Sequence, residues 1–450
     1  MTAGERRAAS TLSGLFGLRM IGLFMILPVF ALYAEHLQGV TPLLVGMAIG
    51  AYGLTQALLQ IPAGMLSDRI GRKPVIVAGL LIFAAGSVLA ATAHSIHWVI
   101  IGRALQGAGA IASTVMALLA DLTREEHRTK AMAFMGASIG VSFAVAMVAG
   151  PVLNHWVGVP GIFWITAILA IGGIGVVFLW VPTPSHSSRH RDAQPVPAQF
   201  ARVLRDGQLL RLNFGIFSLH MLLTASFTVV PLALRDYAGL ASGYHSWVYL
   251  GVMVGSLVLM VPAVIVAEKR RQIKAVFLGA VALLVASELS LWKLHDSLLV
   301  IVTALFVFFT AFNILEATLP SLVSKVAPPD SKGTAMGFYS SSQFLGAFLG
   351  GALGGWLHGS FGIGGVFLGS AAMAAVWWLV ASGMRTPAHL SSYLLRVGPV
   401  DDVQARILAD RLSQVAGVAE AVVVAEDQVA YLKVDRHTLD EESLQQLAAA

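Results

Sequence analysis

The sequence contains no cysteine and few charged residues. Because no thiol is present, disulfide bonds, thiolate metal sites and cysteine nucleophiles are excluded. Only 12% of the residues are charged and 57% are hydrophobic, whereas soluble domains are about 25% charged. The pattern Gly-x-x-x-x-Gly-Lys-Ser/Thr, which holds nucleotide phosphates, is also missing. The composition therefore predicts a multi-pass membrane protein that is not an enzyme and needs no cofactor or metal.

Twelve apolar runs have roughly the 20 residues that a helix needs to cross a bilayer. They are predicted at 12–34, 42–66, 74–93, 97–121, 131–153, 161–181, 209–233, 246–267, 274–292, 297–320, 334–357 and 363–383. No small-residue cleavage pattern closes the first run, so an uncleaved first helix is expected. An even number of spans places both termini on the same face.

The basic residues of the loops fall almost entirely on the face that carries both termini. Arg235 and Lys293 are the exceptions. Positive charge accumulates on the cytoplasmic side of membrane proteins, so both termini are predicted to be cytoplasmic, in a bacterial inner membrane. The formal charge of +5 then reflects orientation in the lipid bilayer and does not indicate a nucleic-acid partner.

An internal repeat divides the membrane region into two halves. The segment Lys130-Ala-Met-Ala-Phe134 resembles Thr334-Ala-Met-Gly-Phe338, at an offset of 204 residues. The predicted domains are a first six-helix half at 1–181, a cytoplasmic linker at 182–208 that is rich in Pro, Ser, His and Arg, and a second six-helix half at 209–385.

Residues 390–450 have the composition of a small soluble domain. Their pattern predicts strand, helix, strand, strand and helix, which is the order of a ferredoxin-like βαββαβ unit without its last strand. The segment Gly398–Asp402 has no Cys-x-x-Cys, so metal delivery is not expected. If the missing strand leaves an open edge, two tails could pair through it.

A charged segment lies between the second and third spans. It carries Gly64, Asp68, Arg69, Gly71, Arg72 and Lys73. This spacing resembles motif A of the major facilitator superfamily, G-x-x-x-D-R-x-G-R-[RK]. The resemblance implies a conformational latch in which Asp68 contacts the start of the eleventh helix, near 333–335, and a cluster of Asp68, Arg72 and Asp121. A topology signal alone would also account for the basic residues.

Two arginines lie within predicted spans of the first half. Arg103 stands in Arg103-x-x-x-Gly107-x-Gly109, which resembles motif B of the same superfamily, whose arginine faces the central cavity. A buried arginine must pair, hydrate or point inward, so a role as a hydrogen-bond anchor between helices stays open. Arg19 occupies the first span, where many drug:proton antiporters carry an acid.

The fifth span contains Gly136, Gly140, Gly150 and Pro151. The row partly resembles motif C of antiporters, although the trailing glycines of that motif are absent. Rows of glycine also let helices approach closely, so packing is the other interpretation.

Polar groups in the second half are candidates for proton coupling. Glu316 and His220 are the ionisable residues favoured for this role, with Asn313 and Thr318 expected to solvate Glu316. The alternative is that these polar residues only pack between helices, with their hydrogen bonds satisfied inside the protein. Glu288, near Lys293, is expected to be an end charge at the membrane surface.

The resemblance covers nearly the whole chain, including the tail, and lies in the drug:proton antiporter branch. It implies an all-α fold of twelve transmembrane helices in two six-helix halves, plus the small α+β ferredoxin-like domain, with a solute site between the halves. The leading hypothesis is proton-coupled efflux of a small organic or drug-like molecule by rocker-switch alternating access. The alternative is a transporter-like sensor that signals through its tail.

Overall fold

The computed structural model describes residues 1–182, 196–270, 272–385, 391–425, 428–435 and 438–449. Within these ranges, ten continuous helical segments are long and apolar enough to cross a membrane. Two of these segments each contain one residue with a non-helical backbone, Gly158 or Gly362, at which two helices meet. The described part of the chain therefore has the twelve spans that the sequence predicts.

The first half is built from seven helices. They are α1 (Ala3–Phe24), α2 (Leu27–Ala34), α3 (Pro42–Ile70), α4 (Arg72–Ala91), α5 (Ile96–Ala108), α6 (Ala112–Asp121) and α7 (Glu125–Leu179). The linker, of which residues 183–195 lie outside the described ranges, ends in the short helix α8 (Phe200–Arg205). The second half comprises α9 (Gly207–Phe227), α10 (Val230–Leu232), α11 (His245–Lys269), α12 (Ile273–Leu294), α13 (Leu298–Val326) and α14 (Lys332–Ser382).

The first span is longer than predicted and is interrupted. It begins at Ala3 because Thr2 and Glu5 form a capping box, in which Thr2 Oγ1 accepts from the Glu5 amide at 3.2 Å and Glu5 Oε2 accepts from the Thr2 amide at 2.6 Å. The helix stops at Phe24 and resumes at Leu27, with Pro28 in the first turn, where a missing N–H costs little. The fourth span is likewise divided, into α5 and α6, on either side of residues 109–111.

Gly158 and Gly362 are single-residue joints between consecutive spans. Gly158 has φ 69° and ψ 174°, and Gly362 has φ 69° and ψ −171°. They are separated by the same 204 residues as the sequence repeat. A side chain would be strained in this backbone region, which is essentially restricted to glycine. The two halves thus share their most unusual backbone feature.

Replacing Gly158 with alanine should destabilise the folded protein by roughly 1–3 kcal/mol, because the new Cβ strains a backbone that glycine adopts freely. The measurement is the thermal unfolding midpoint in detergent. Gly172→Ala in the same helix is the control, since a Cβ there meets nothing within 4 Å. Equal midpoints for the two variants would contradict the prediction.

The outer surface of the helices is apolar. Trp156 is 78% exposed, Leu179 74% and Leu299 75%. Side chains of this kind belong against lipid, where helices satisfy their own backbone hydrogen bonds. Both termini lie on one face, called the terminal face below, and the other face is called the opposite face.

The tail is a small α+β domain. It contains β1 (Ser391–Arg396), α15 (Asp402–Ser413), β2 (Val418–Val424), β3 (Val429–Val434) and α16 (Glu441–Ala449). The order of elements is the predicted one, and the antiparallel sheet has the strand order β1-β3-β2. Within the described residues β1 pairs with β3 alone, which leaves its other edge open.

Candidate functional site

Arg19 and Arg103 meet around one aromatic ring in the first half. Arg19 on α1 is 4% exposed and Arg103 on α5 is 2% exposed. Their guanidinium carbons lie 5.7 Å and 5.4 Å from the centre of the Tyr52 ring on α3. The structure therefore brings together the two buried arginines that the sequence singled out, and we call them the arginine pair.

The arginine pair is held by amide and carbonyl oxygens. Arg19 Nη2 donates to Gln56 Oε1 at 3.1 Å and to the Gly109 carbonyl at 3.0 Å. Arg103 Nη1 donates to Gln106 Oε1 at 2.7 Å. These contacts fix both side chains but supply no negative charge.

His220, Glu316 and Gln343 form the His–Glu cluster in the second half. Gln343 Nε2 lies 2.8 Å from His220 Nε2 and donates to Glu316 Oε1 at 3.3 Å. His220 Nδ1 lies 3.3 Å from the Ile216 carbonyl. This pattern assigns the ring proton to Nδ1 and leaves Nε2 as the acceptor. Nε2 is also 3.9 Å from Glu316 Oε2, so a proton has a short route between the two groups.

Sequence reasoning gave the wrong partners for Glu316. Asn313 Nδ2 donates instead to Ser256 Oγ on α11 at 3.0 Å, and Thr318 Oγ1 donates to the Ile314 carbonyl of its own helix at 2.8 Å. Gln343, on α14, takes the role that they were expected to fill. A polar residue in the glycine-rich eleventh span was the signal that could have identified it.

Aromatic rings connect the two halves at this level. Tyr52 lies 5.9 Å from Phe344 between ring centres, and Phe344 follows Gln343 in the chain. Phe143 of the first half lies 5.7 Å from Phe312 of the second, which in turn lies 5.7 Å from His220. The arginine pair and the His–Glu cluster therefore stand on either side of the interface between the halves.

Glu288 is not the surface charge that the sequence suggested. It is fully buried, and its Oε1 accepts from Ser226 Oγ on α9 at 2.8 Å. Its position near Lys293 in sequence was misleading, because the helical turn directs it toward α9. The second half thus contains a second buried acid, apart from the His–Glu cluster.

The latch cluster of Asp68, Arg72 and Asp121 lies on the terminal face. Arg72 Nε donates to Asp121 Oδ2 at 3.1 Å, and Arg72 Nη1 donates to Asp68 Oδ1. Arg72 is 3% exposed, so the pairing is largely shielded from solvent. The structure brings together the three side chains expected to form this cluster.

The neighbouring residues of the segment have separate positions. Lys73 Nζ donates to the Val181 carbonyl at 2.7 Å, whereas Arg69 is exposed. Gly71, with φ 96°, turns the chain from α3 into α4. A Cβ at Gly64 would lie 2.8 Å from Ser113 Oγ, which places α3 close against α6.

The expected contact between Asp68 and the start of the eleventh span does not occur. Within the described residues no hydrogen bond joins them. Thr334, at that helix start, bonds instead to the linker: its Oγ1 donates to Gln199 Oε1 at 2.9 Å and accepts from the Val196 amide at 2.9 Å. In this conformation the linker occupies the helix start to which Asp68 was assigned.

An ion pair joins the halves on the opposite face. Arg235 Nη1 and Nη2 donate to the two carboxylate oxygens of Glu35 at 2.7 Å and 2.8 Å. The pair spans 200 residues of sequence, and each member looks like an ordinary charge at the end of a span. Sequence reasoning therefore missed this contact between the halves.

Glycines bring α3 and α14 into backbone contact below this ion pair. A Cβ at Gly46 would lie 1.9 Å from the Gly351 carbonyl oxygen.

In the fifth span, a Cβ at Gly150 would lie 2.2 Å from the Met25 carbonyl oxygen, and Pro151 follows within α7. A Cβ at Gly136 or Gly140 would meet nothing within 4 Å, so close packing in that row occurs at Gly150 and not at the other two.

Comparison with known proteins agrees with this architecture. A family model described as Major Facilitator Superfamily matches residues 12–351 and 212–397. The inner membrane transport protein YajR of Escherichia coli (strain K12) is 50% identical over 435 residues, which cover 97% of this chain and 95% of the relative.

More distant relatives carry names related to drug resistance. The multidrug resistance protein MdtH of Aeromonas salmonicida (strain A449) is 27% identical over 345 residues, covering 75% of this chain and 84% of the relative.

Among solved structures, a bacterial homologue of the human lysosomal transporter Spinster, in an inward-facing and occupied conformation, aligns with a TM-score of 0.69. The alignment covers 86% of this chain and 98% of that one at 14% identity, which supports the fold alone.

Proposed function

The chain belongs to the major facilitator superfamily and is a multi-pass transporter of the inner membrane, and we propose that it exports a small organic or drug-like solute in exchange for protons. The observation that carries the proposal is the His–Glu cluster at the interface between the halves. The distant relationship to multidrug resistance proteins supports the class of solute.

Proton exchange requires an acid that is held in the membrane but reachable by water. Glu316 is a candidate for such an acid: its side chain is 32% exposed at the interface, Gln343 fixes its Oε1, and its Oε2 is buried with no hydrogen-bond partner among the described residues. His220, only 9% exposed, provides a neighbouring acceptor for the same proton. In the proposed cycle Glu316 takes up a proton when the site opens to the opposite face and releases it when the site opens to the terminal face. The solute moves in the other direction.

Alternating access is proposed to occur by rocking of the halves, residues 1–181 against 209–385. The Glu35–Arg235 ion pair closes the opposite face in the present conformation. Opening that face would break the pair, and the latch cluster would then hold the terminal face shut through the start of the eleventh span. We assign the terminal face to the cytoplasm, because the basic loops lie there.

Reconstituted liposomes test the proposal directly. Purified protein is placed in vesicles that contain a pH-sensitive dye, and a panel of lipophilic cations, neutral drugs and organic acids is added in turn. Proton movement that depends on a solute and on the protein is the expected result. Folded protein that moves no protons with any member of the panel would refute antiport.

The contacts of the tail favour a second candidate function, that of a transporter-like sensor. Lys433 of β3 is 6% exposed, pairs with Glu420 at 3.3 Å and donates to the Val326 carbonyl at the end of α13, also at 3.3 Å. The loop that follows Val326 leads to Asp330, which accepts from Arg202 of the linker at 3.2 Å. The tail, the linker and the start of the eleventh span therefore meet, as signalling would require.

Removing the tail after Arg385 separates the two functions. For a transporter we expect the shortened chain to retain solute-driven proton movement within about twofold of the full chain, because the proposed proton site lies in the membrane region. Lys433→Met in the full chain is the milder variant, since it removes the contact with Val326 and keeps the domain. If neither the full chain nor the shortened chain moves protons, and solute binding alters the accessibility of Lys433, the protein would instead be a sensor.

A further inference from the structure

The arginine pair lacks an acidic partner. In sequence, the acidic residues from Met1 to Val181 are confined to helix ends and loops: Glu5, Glu35, Asp68, Asp121, Glu125 and Glu126. Within the described residues neither Arg19 nor Arg103 forms a salt bridge. Two buried positive charges without a carboxylate are costly in a membrane. Their retention calls for a use that packing alone does not supply.

Arg19 still has donors to offer. Its Nε and Nη1 are buried and have no hydrogen-bond partner within the described residues, while Nη2 makes both of its contacts. The side chain as a whole is 96% buried, so its free donors face the protein interior. Each of these free N–H groups can donate to one oxygen of a carboxylate, sulfonate or phosphate, but the Nε–H bond points away from Nη1, so the two do not form a single fork.

The surroundings of the pair stabilise its position without neutralising it. The rings of Tyr52 and Phe83 lie 5.7 Å and 5.1 Å from the Arg19 guanidinium carbon. Cation–π contacts of this kind contribute about 0.5–2 kcal/mol, less than a buried charge costs. Glu316 of the other half lies 3.9 Å from His220 and, among the described residues, forms no salt bridge with either arginine.

A row of polar side chains runs from the arginine pair along α3. Tyr52, Gln56 and Gln60 follow one another at four-residue spacing, which places them on one helix face. Tyr52 Oη donates to Gln56 Oε1 at 3.2 Å, and Gln60 Nε2 reaches the Gly337 carbonyl of α14 at 3.4 Å. The row therefore links the pair to α14 through buried polar side chains at the interface between the halves.

We infer that the arginine pair is the binding site for an acidic group of the transported solute, and that the solute is an organic anion or a zwitterion. The acidic group binds to a free N–H of Arg19, with Arg103 as the second positive charge and Tyr52 between them. The aromatic rings at the interface receive its apolar part. The inference rests on the proposed transport function but concerns binding, which needs no proton gradient.

Equilibrium dialysis with matched probes tests the assignment. The full chain in phosphatidylcholine nanodiscs is dialysed at neutral pH against 2-naphthoate, the neutral 2-naphthamide or the cationic 2-naphthylmethylammonium. We expect naphthoate to bind at least about tenfold more tightly than naphthamide. In Arg19→Gln this preference should disappear, with naphthoate weakened about tenfold and naphthamide unchanged. Arg103→Gln should shift naphthoate binding in the same direction.

Control variants keep the result interpretable. Arg205→Gln removes an exposed positive charge far from the pair and should leave naphthoate binding unchanged. Arg19→Lys retains the charge and serves if Arg19→Gln does not fold, as judged from the thermal unfolding of each variant. Because the dialysis uses no proton gradient, a failure of proton coupling alone leaves this inference standing.

Four outcomes would overturn the inference. Naphthoate and naphthamide could bind equally, or anion binding could survive in both glutamine variants. Naphthylmethylammonium could bind best and drive proton movement, which would preserve the transport function and reject an acidic solute. Loss of naphthoate binding in discs rich in phosphatidylglycerol would identify the acid as a lipid headgroup and not a solute.

Discussion

Glu316→Gln is expected to abolish solute-driven proton movement in liposomes, reducing it to the level of protein-free vesicles. Glutamine keeps the size of the side chain and can still accept from Gln343 through its amide oxygen, so the local fold should be preserved. It cannot bind and release a proton in the range that a carboxyl group can. The solute should therefore still bind while its movement no longer shifts the internal pH.

Glu288→Gln is the matched control for this experiment. Glu288 is a buried acid of the same half, but it is bonded to Ser226 and lies apart from the His–Glu cluster. We expect this variant to retain coupled flux. If Glu288→Gln loses the flux and Glu316→Gln keeps it, the coupling acid has been wrongly assigned. A His220→Gln variant then asks whether the imidazole shares the proton: retained but slower coupling is the expected result.

Gly46→Ala should prevent the opposite face from closing and reduce transport nearly to zero. An added Cβ would lie 1.9 Å from the Gly351 carbonyl oxygen and 2.8 Å from its carbon, distances at which two backbones must separate. Because these atoms belong to different halves, the separation moves α3 away from α14. The Glu35–Arg235 pair, on the same face, should be broken as a result.

Labels on the opposite face measure this opening. Because the chain has no cysteine, single cysteines at His36 and Tyr237, both exposed, can carry spin labels without removing others. We expect a longer distance between the labels in Gly46→Ala than in the parent. Gly140→Ala is the control, since its Cβ meets nothing within 4 Å and alanine is about 1 kcal/mol more favourable than glycine in a helix. An unchanged distance and normal flux in Gly46→Ala would show that the halves pack less tightly than the structure indicates.

Features that depend on local sequence were predictable. Hydropathy identified all twelve spans, and the motif that contains Asp68 and Arg72 predicted their cluster with Asp121, although Gly71 places the two on different helices. The order of strands and helices along the tail followed from its alternating pattern. The structure then gave the order of the strands within the sheet. Arg19 and Arg103 stood out because charge is rare in apolar spans.

Features that depend on which helices face one another were not predictable. Asn313 is close to Glu316 in sequence, but α11 supplies its partner and α14 supplies the partner of Glu316. Glu288 follows a pattern typical of a helix end, and only the tertiary packing of α12 buries it and brings it to Ser226 of α9. The Glu35–Arg235 pair depends on the relative position of two halves, which hydropathy does not encode.

The glycine joints at Gly158 and Gly362 limit how the helices of each half can move relative to one another. Each joint is one residue long, so the helices on its two sides are fastened at the opposite face with no slack in the chain. A force that displaces the fifth span must carry the sixth, and the same holds for the eleventh and twelfth. In each half, the two helices joined at the glycine therefore move as one rigid unit. Pairs of labels placed within such a unit should keep a constant spacing throughout the transport cycle.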